Sequence, residues 1–397
     1  MPFPRSWCLW PLAGFLFFAL IGWISDFTGV RSLFIKKIFI ILPPVMYFLL
    51  YLLYYLIGSS IWPLVEDKLM FLLIPVFGFA LFSSEFFRKN IRFLLSAFIL
   101  GILVICIYQI TRVSLESISF SEGSLKFNKF ISPGISRFNW DQFSTFEHPT
   151  YLAIKVLWGI SLLLFAKEAL KLKIYFRISL VIFFTVILLF LSVKASILIL
   201  IIFYILFIYR NFNKARILRI ILVAVPVIVF VLLIYARNNV RMVRKFDELK
   251  TRVLVEKVHW KDVDPRTRSW YTSLILIKER PLSGVGLNIR EVLSEKYLEQ
   301  GFKTEADLRL NAHNQYLETQ LAFGILGTLV LFWMLLAPLK GRKKFLEPGI
   351  VIPFLIIISV SMIFESILVR QWGIMFFVLF YCILTIPDKK SITTGEE

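Results

Sequence analysis

Few of the residues that build metal sites and disulfide frameworks occur in this sequence. It has three cysteines and three histidines among 397 residues. Cys8, Cys106 and Cys382 all lie within or beside apolar runs, so neither a disulfide framework nor a CxxC metal site can be read from them. We interpret these cysteines as small core residues. Internal repeats and low-complexity segments are not apparent in the sequence either.

Acidic residues are also scarce relative to basic ones, with 26 Asp and Glu against 45 Lys and Arg and a net charge of +19. Such an excess can indicate nucleic-acid binding, but most of the basic residues lie in short hinges between apolar runs, which is typical of membrane orientation. The hydrophobic share is 58%, above the roughly 45–50% of soluble domains. The sequence therefore predicts an integral membrane protein with no nucleic-acid partner.

Apolar runs long enough to cross a bilayer need roughly 17–25 residues, and we count about eleven candidates. Their approximate limits are 8–25, 38–57, 69–84, 92–111, 149–166, 174–191, 195–209, 217–236, 315–337, 350–367 and 372–386. The first run lacks a small-residue cleavage site, so we expect no cleavable signal peptide, and its flank at 26–37 has room for another short element.

The predicted fold class is an all-α polytopic membrane protein, a bundle of about 11–12 transmembrane helices. Three parts are expected: transmembrane helices one to eight over 1–236, a large helical loop over 237–314, and helices nine to eleven with a tail over 315–397. The loop carries 16 basic and 11 acidic residues.

Short basic hinges set the expected topology. The hinges 88–92, 167–177, 209–219 and 340–344 are predicted to face the cytoplasm together with the C-terminal tail. The loop 237–314 then lies on the outer side, since long translocated loops escape the charge rule. The side of the N-terminus stays open, because eleven spans place it outside and one more span places it inside.

Two short motifs carry polar residues at predicted outer helix ends. In FEHPTYLA, His148 either marks the start of a helix, with Pro149 in the first turn where its missing N–H costs nothing, or has a functional role. In LSVKASIL, Lys194 has almost no loop around it. Its ammonium either reaches to the lipid headgroups or binds an anion such as a phosphate.

The large loop contains a third motif, at 264–286. Trp270, Leu274 and Ile277 recur at helical spacing, and Arg266 lies one turn before them. The PLSGVG that follows ends this helix in a turn and lacks the strand–GxGxxG–helix context of a nucleotide loop. Arg266 is either simply solvated or supplies a planar fork for a diphosphate.

A fourth motif opens the ninth span, where His313 is followed by Asn314. An imidazole, with its ordinary pKa of about 6.5, can take a proton at neutral pH, as activation of a sugar hydroxyl requires. Asn314 either orients a substrate or holds the helix start. In FESILVRQWG, Glu365 and Arg370 are expected to form a structural ion pair in preference to lining a cavity.

At these residues the chain resembles the O-antigen ligase and Wzy-type polymerase superfamily. The matching pieces are HPTYLA, LSVKAS, the R-x-x-x-W of Arg266 to Trp270 with IKERPLSGVG, AHNQYLETQLAFGILG and FESILVRQWG, which span 146–386. The resemblance implies a GT-C-type helical enzyme of the bacterial inner membrane. It implies a periplasmic site, a cytoplasmic C-terminus and a large periplasmic loop.

The resemblance also implies a reaction and its residues. A glycan would move from undecaprenyl diphosphate to a hydroxyl of lipid A–core or a similar acceptor, without a metal or other cofactor. Arg266 and Lys194 would bind the diphosphate, and His313 would be the base or position the acceptor. Many members have Arg where this chain has Lys194, which keeps the charge but loses the bidentate fork. Possible acceptor-binding or structural residues are His148, Asn314, Tyr316, Arg268, Glu365 and Arg370.

Two other functions compete with ligation. An O-antigen polymerase would use the same donor with a second lipid-linked glycan as its acceptor. A flippase or transporter would carry polar residues in mid-span and paired broken helices. We rank the transporter below both enzymes, because the charged residues cluster at one membrane face instead.

Overall fold

The computed structural model describes residues 5–58, 62–121, 124–128, 130–132, 135–138, 142–166, 170–211, 263–340 and 349–385. The helices before the large loop are α1 (Arg5–Ser25), α2 (Phe27–Lys36), α3 (Ile38–Leu56), α4 (Trp62–Glu66), α5 (Met70–Val76), α6 (Gly78–Phe82), α7 (Glu85–Ser117), α8 (Pro149–Phe165), α9 (Ile174–Leu191) and α10 (Lys194–Asn211). They are followed by α11 (Pro265–Glu279), α12 (Ile289–Glu299), α13 (Lys303–Asp307), α14 (Gln315–Lys340), α15 (Val351–Phe364) and α16 (Gln371–Thr385).

The predicted all-α polytopic membrane fold is confirmed. Among the described residues, α3, α7 from Lys89, α9 and α14 are long and apolar enough to cross a membrane. The pair α1–α2, bent by 103° at Asp26, would make a fifth span if counted as one. Three further apolar helices, α8, α15 and α16, are shorter.

Several predicted spans differ from the helices that form. The run 69–84 is divided into α5 and α6, where Pro75 removes one backbone N–H from the helical ladder. The short element expected at 26–37 is α2, whose first turn is capped by Asp26 through its contact with the amide of Gly29. The predicted span 217–236 lies outside the described residues.

The connection between α7 and α8 contains strands that an all-α fold does not include. Helix α7 runs past the predicted limit of 111 to Ser117. Two antiparallel hairpins follow, β1 (Ile118–Ser121) with β2 (Ser124–Phe127), and β3 (Phe130–Ser132) with β4 (Ile135–Ser136). Each hairpin has two strands and stays local to this connection.

The order of the helices places several of their ends together. Helix α9 returns along α8 and is followed at once by α10, which also packs on α8, so the first residues of α8 and α10 share one end of the bundle. Helix α15 packs on both α8 and α14. The core between these helices is aromatic, with the Trp158 ring 5.4 Å from Phe354 and 5.2 Å from Phe380.

The described part of the large loop is helical, as predicted. Its helices α11, α12 and α13 pack on one another, and α11 lies along α14. The loop helices are joined internally by Arg268, whose guanidinium lies 2.6 Å from the buried Glu305 carboxylate and 5.5 Å from the centre of the Phe302 ring.

Candidate functional site

The segment before α14 holds His313 in a defined position. The His313 backbone adopts the left-handed region, with φ of 47°, which is uncommon outside glycine and marks a constrained site. Its amide donates to Asn311 Oδ1 at 3.2 Å. The next residue caps α14, because Asn314 Oδ1 accepts from the amides of Tyr316 at 2.9 Å and Leu317 at 3.1 Å. Asn314 therefore serves the helix start.

Glu365 connects His313 with the large loop. It ends α15 in an extended conformation, and its side chain is 12% exposed. Its Oε1 lies 3.5 Å from His313 Nδ1, and its Oε2 lies 3.8 Å from Arg266 Nη2. Burial raises the pKa of the Glu365 carboxyl, but His313, Arg266 and His148 together lower it further than burial raises it. An ionised carboxylate thus joins α11, the start of α14 and the end of α15.

The ion pair expected between Glu365 and Arg370 is not formed. The Glu365 carboxylate faces Arg266 and His313 instead, because the extended backbone at the end of α15 directs it towards α11 and α14 while the turn 366–369 separates it from Arg370. Arg370 is exposed immediately before α16. It still adds positive charge to the region, since it helps to lower the pKa of His148.

His148 has the helix-start role considered for it, and its functional role stays a prediction. It caps α8, with Pro149 in the first turn and Nδ1 3.4 Å from the amide of Thr150. Burial lowers the pKa of His148, and Arg370, Arg266 and His313 lower it further against the opposing effect of Glu365. The helix start predicted at FEHPTYLA is confirmed, and the imidazole is also a neighbour of the charged cluster.

Lys194 lies at the same end of the bundle, as the exposed first residue of α10. The interatomic contacts that define the cluster are made by Glu365 with His313 and Arg266. The structure therefore brings Arg266 and His313 each into contact with Glu365. Lys194 lies at the same end of the bundle as this cluster.

Two of the candidate residues have structural partners. Arg268 is committed to Glu305 inside the loop. The Tyr316 hydroxyl donates to the carbonyl of Ser359 at 3.2 Å, and its ring stacks on Phe332 at 5.7 Å. These contacts pack the loop helices and join α14 to α15.

Sequence reasoning missed the residues that fix the turn between Glu365 and Arg370. The buried Lys68 ammonium donates to the carbonyls of Leu368 at 2.7 Å and Val369 at 2.9 Å. From the other side, Gln315 Oε1 accepts from the Leu368 amide at 2.7 Å. A lysine at the edge of an apolar run looks like any interfacial lysine, so no local signal distinguishes Lys68.

A buried ion pair below His148 was missed as well. Lys155 Nζ lies 2.6 Å from Glu147 Oε2, and the two side chains are 1% and 2% exposed. The ammonium also lies 4.7 Å from the centre of the Trp372 ring in α16. The one signal in the sequence was Lys155 itself, within its apolar run. A charged residue in such a helix usually faces the bundle interior and has a partner there.

The PLSGVG turn docks on a break in α14. At Gly324 the backbone has φ of 62° and ψ of −152°, a region open essentially to glycine alone. The amides of Val285 and Gly286 donate to the carbonyls of Leu321 at 2.6 Å and Ala322 at 3.2 Å, and the Ile325 amide donates to the Pro281 carbonyl at 3.1 Å. The end of the helix that carries Arg266 is thus fastened to the helix that follows His313.

Comparison with known proteins adds one match. Residues 178–332 match the profile of the O-Antigen ligase family. This stretch is less than half of the chain, and it contains Lys194, Arg266 and His313 but neither His148 nor Glu365. No curated protein matches the chain.

Proposed function

We propose that this chain is an O-antigen ligase that transfers a glycan from undecaprenyl diphosphate to a hydroxyl of lipid A–core. The match over residues 178–332 supports the proposal. The site would face the periplasm from the bacterial inner membrane. The observation that carries the proposal is the Glu365 carboxylate, which lies between the His313 imidazole and the Arg266 guanidinium. His313, as a base for the acceptor, and Arg266, as a cation for the donor, therefore both lie beside Glu365.

The contact with Glu365 prepares His313 to act as a base. Because the carboxylate faces Nδ1, that nitrogen carries the proton, and Nε2 is left to accept one from the acceptor hydroxyl. The same carboxylate stabilises the imidazolium that then forms. At 3.5 Å the contact is longer than an ordinary hydrogen bond, and such catalytic contacts often shorten when the substrate binds.

Cations near the donor stabilise the diphosphate as it leaves. As the acceptor oxygen bonds to the anomeric carbon, the bond from that carbon to the phosphate oxygen breaks, and its electron pair goes to the diphosphate. The Arg266 guanidinium offers two parallel donors to phosphate oxygens. Lys194 and Arg370 add positive charge at the same end of the bundle.

The position of the site suits a lipid-linked donor. The cluster lies where apolar helices of the bundle begin and end, so a polyprenyl chain can stay in the bilayer while its diphosphate reaches the cations. The outward orientation of this end follows from the basic hinges at the other end.

A transfer assay with purified protein, lipid-linked glycan and lipid A–core tests the proposal. We expect glycan-modified lipid A–core, and a loss of about 10²–10⁴-fold in turnover for His313→Ala, as for a lost general base. If the protein instead extends a second lipid-linked glycan and ignores lipid A–core, it is a polymerase. In cells, deletion of a ligase leaves lipid-linked polymer, whereas deletion of a polymerase leaves single repeat units.

A further inference from the structure

The hydroxyl of Tyr151 is buried without a hydrogen-bond partner in the part of the chain that the structure describes. The residue is 4% exposed, and its hydroxyl oxygen makes no hydrogen bond there. By contrast, the Tyr47 hydroxyl lies 2.9 Å from Thr319 Oγ1, and that of Tyr204 lies 3.1 Å from Thr185 Oγ1. Because an unpaired buried hydroxyl is costly, the Tyr151 hydroxyl calls for a partner.

The Tyr151 ring is held on two sides. The His148 ring lies edge-on to it, with centroids 6.3 Å apart. On the other side α16 comes close at Gly373, where an added Cβ would lie 2.9 Å from the Tyr151 ring. The position of the hydroxyl is therefore fixed by packing before any ligand arrives.

The charges around Tyr151 include those of the candidate site. Tyr151 is the third residue of α8, three positions after His148. Glu365, Arg370 and Glu147 act on its hydroxyl electrostatically. Arg266 acts in the same way on the adjacent His148. The Glu365 carboxylate faces Arg266 and His313, and it makes no hydrogen bond with the Tyr151 hydroxyl.

We propose that Tyr151 is a donor-binding residue, whose hydroxyl donates a hydrogen bond to an anionic oxygen of the lipid diphosphate. The inference rests on the proposed function, since it assigns one more contact to the same donor. An anionic oxygen fits better than a sugar hydroxyl, because Arg266 and Arg370 attract negative charge to this region and a Tyr hydroxyl is a donor to charged oxygens.

The substitution Tyr151→Phe removes only the hydroxyl and keeps the ring against His148 and Gly373. We expect undecaprenyl diphosphate to bind the purified variant about 10- to 100-fold more weakly, as for loss of a hydrogen bond to a charged group. The donor KM should rise with it, while the acceptor KM stays unchanged. Tyr204→Phe is the matched control, because it also removes a hydroxyl from the bundle and should leave binding unchanged.

Undecaprenol, which lacks phosphate, separates the lost hydrogen bond from lost packing. Wild type and Tyr151→Phe should bind undecaprenol equally, and a difference there would overturn the proposal in favour of a packing role. Equal affinity for undecaprenyl diphosphate, or an effect confined to the acceptor KM, would also overturn it. A wild-type protein that fails to bind undecaprenyl diphosphate at all would overturn the proposed function itself, so the two failures are distinguishable.

Discussion

The substitution Glu365→Gln tests the link between His313, the proposed base, and Arg266, the proposed cation for the donor. Glutamine keeps the size of the side chain and loses its charge. At the observed 3.5 Å, the attraction between the carboxylate and a protonated His313 amounts to about 5 kcal/mol at an effective dielectric constant of about 20. Because the His313 side chain is 26% exposed and glutamine can still accept from Nδ1, the loss should be smaller, about 10²–10³-fold in kcat.

The pH profile of transfer distinguishes Glu365 from the base it supports. The pKa of Glu365 lies below its ordinary value, so its stabilising contribution is complete above the ordinary carboxyl pKa of about 4.3 and is lost only as pH falls through the lower folded-state value. An acid limb above pH of about 5 must then come from a group other than Glu365.

Steady-state kinetics over a range of pH, with Glu279→Gln as control, test whether Glu365 takes part in proton transfer. Glu279 is a half-exposed carboxylate that pairs with Lys296 at 2.9 Å on the outside of the loop, so its variant should keep wild-type kcat. If Glu365→Gln retained kcat within about threefold, the carboxylate would have no part in proton transfer, and the reasoning from the His313 contact would be refuted.

Three other groups of substitutions have defined outcomes: at the cations, at the buried ion pair and at Gly324. Arg266→Ala should abolish transfer in a protein that still inserts and folds, whereas Lys194→Arg should keep its activity. Arg266→Lys should stay impaired, because a point charge cannot replace the bidentate guanidinium. Wild-type turnover of Arg266→Ala in the transfer assay would contradict its role in binding the diphosphate. Lys155→Met should lower stability by about 3–5 kcal/mol, because it leaves the Glu147 carboxylate buried and unpaired, and adding Glu147→Gln should recover most of it in thermal unfolding. Gly324→Ala should cost at least about 1–3 kcal/mol in the same measurement, since alanine is strained at this φ; a neutral effect would mean that the break in α14 is not needed.

Local patterns were sufficient to locate the helix starts that carry most of the polar residues of the candidate site. Pro149 after His148 indicated a helix start, and an asparagine followed by an apolar run indicated another, and both helices begin there. The helical spacing from Arg266 to Ile277 likewise predicted α11. These features depend on neighbours within one or two turns, which is the range over which periodicity and capping carry information.

The partners of these residues could not be predicted, because they come from distant parts of the chain. Glu365 and Arg370 are close in sequence and opposite in charge, which favoured an ion pair between them. The carboxylate pairs instead with Arg266, 99 positions away, because the end of α15 is extended and turns it towards the loop. The hydrogen bonds of Lys68 cross 300 positions. No periodicity encodes such pairings.

The glycines of the PLSGVG and AFGILG motifs show how the loop and the bundle are made into one site. Read separately, PLSGVG is a turn signal, and AFGILG is an apolar helix with an isolated glycine that would weaken it. In the structure each requires the other, since a Cβ at Gly284 would collide with the carbonyl of Leu321, and one at Gly324 would collide with that of Leu282. The break in α14 leaves the carbonyls of Leu321 and Ala322 to the turn, and an apolar environment makes such pairing obligatory. Arg266 and His313 are held by the two elements that this interlock joins, so their distance is set by the docked backbone as well as by the side chain of Glu365.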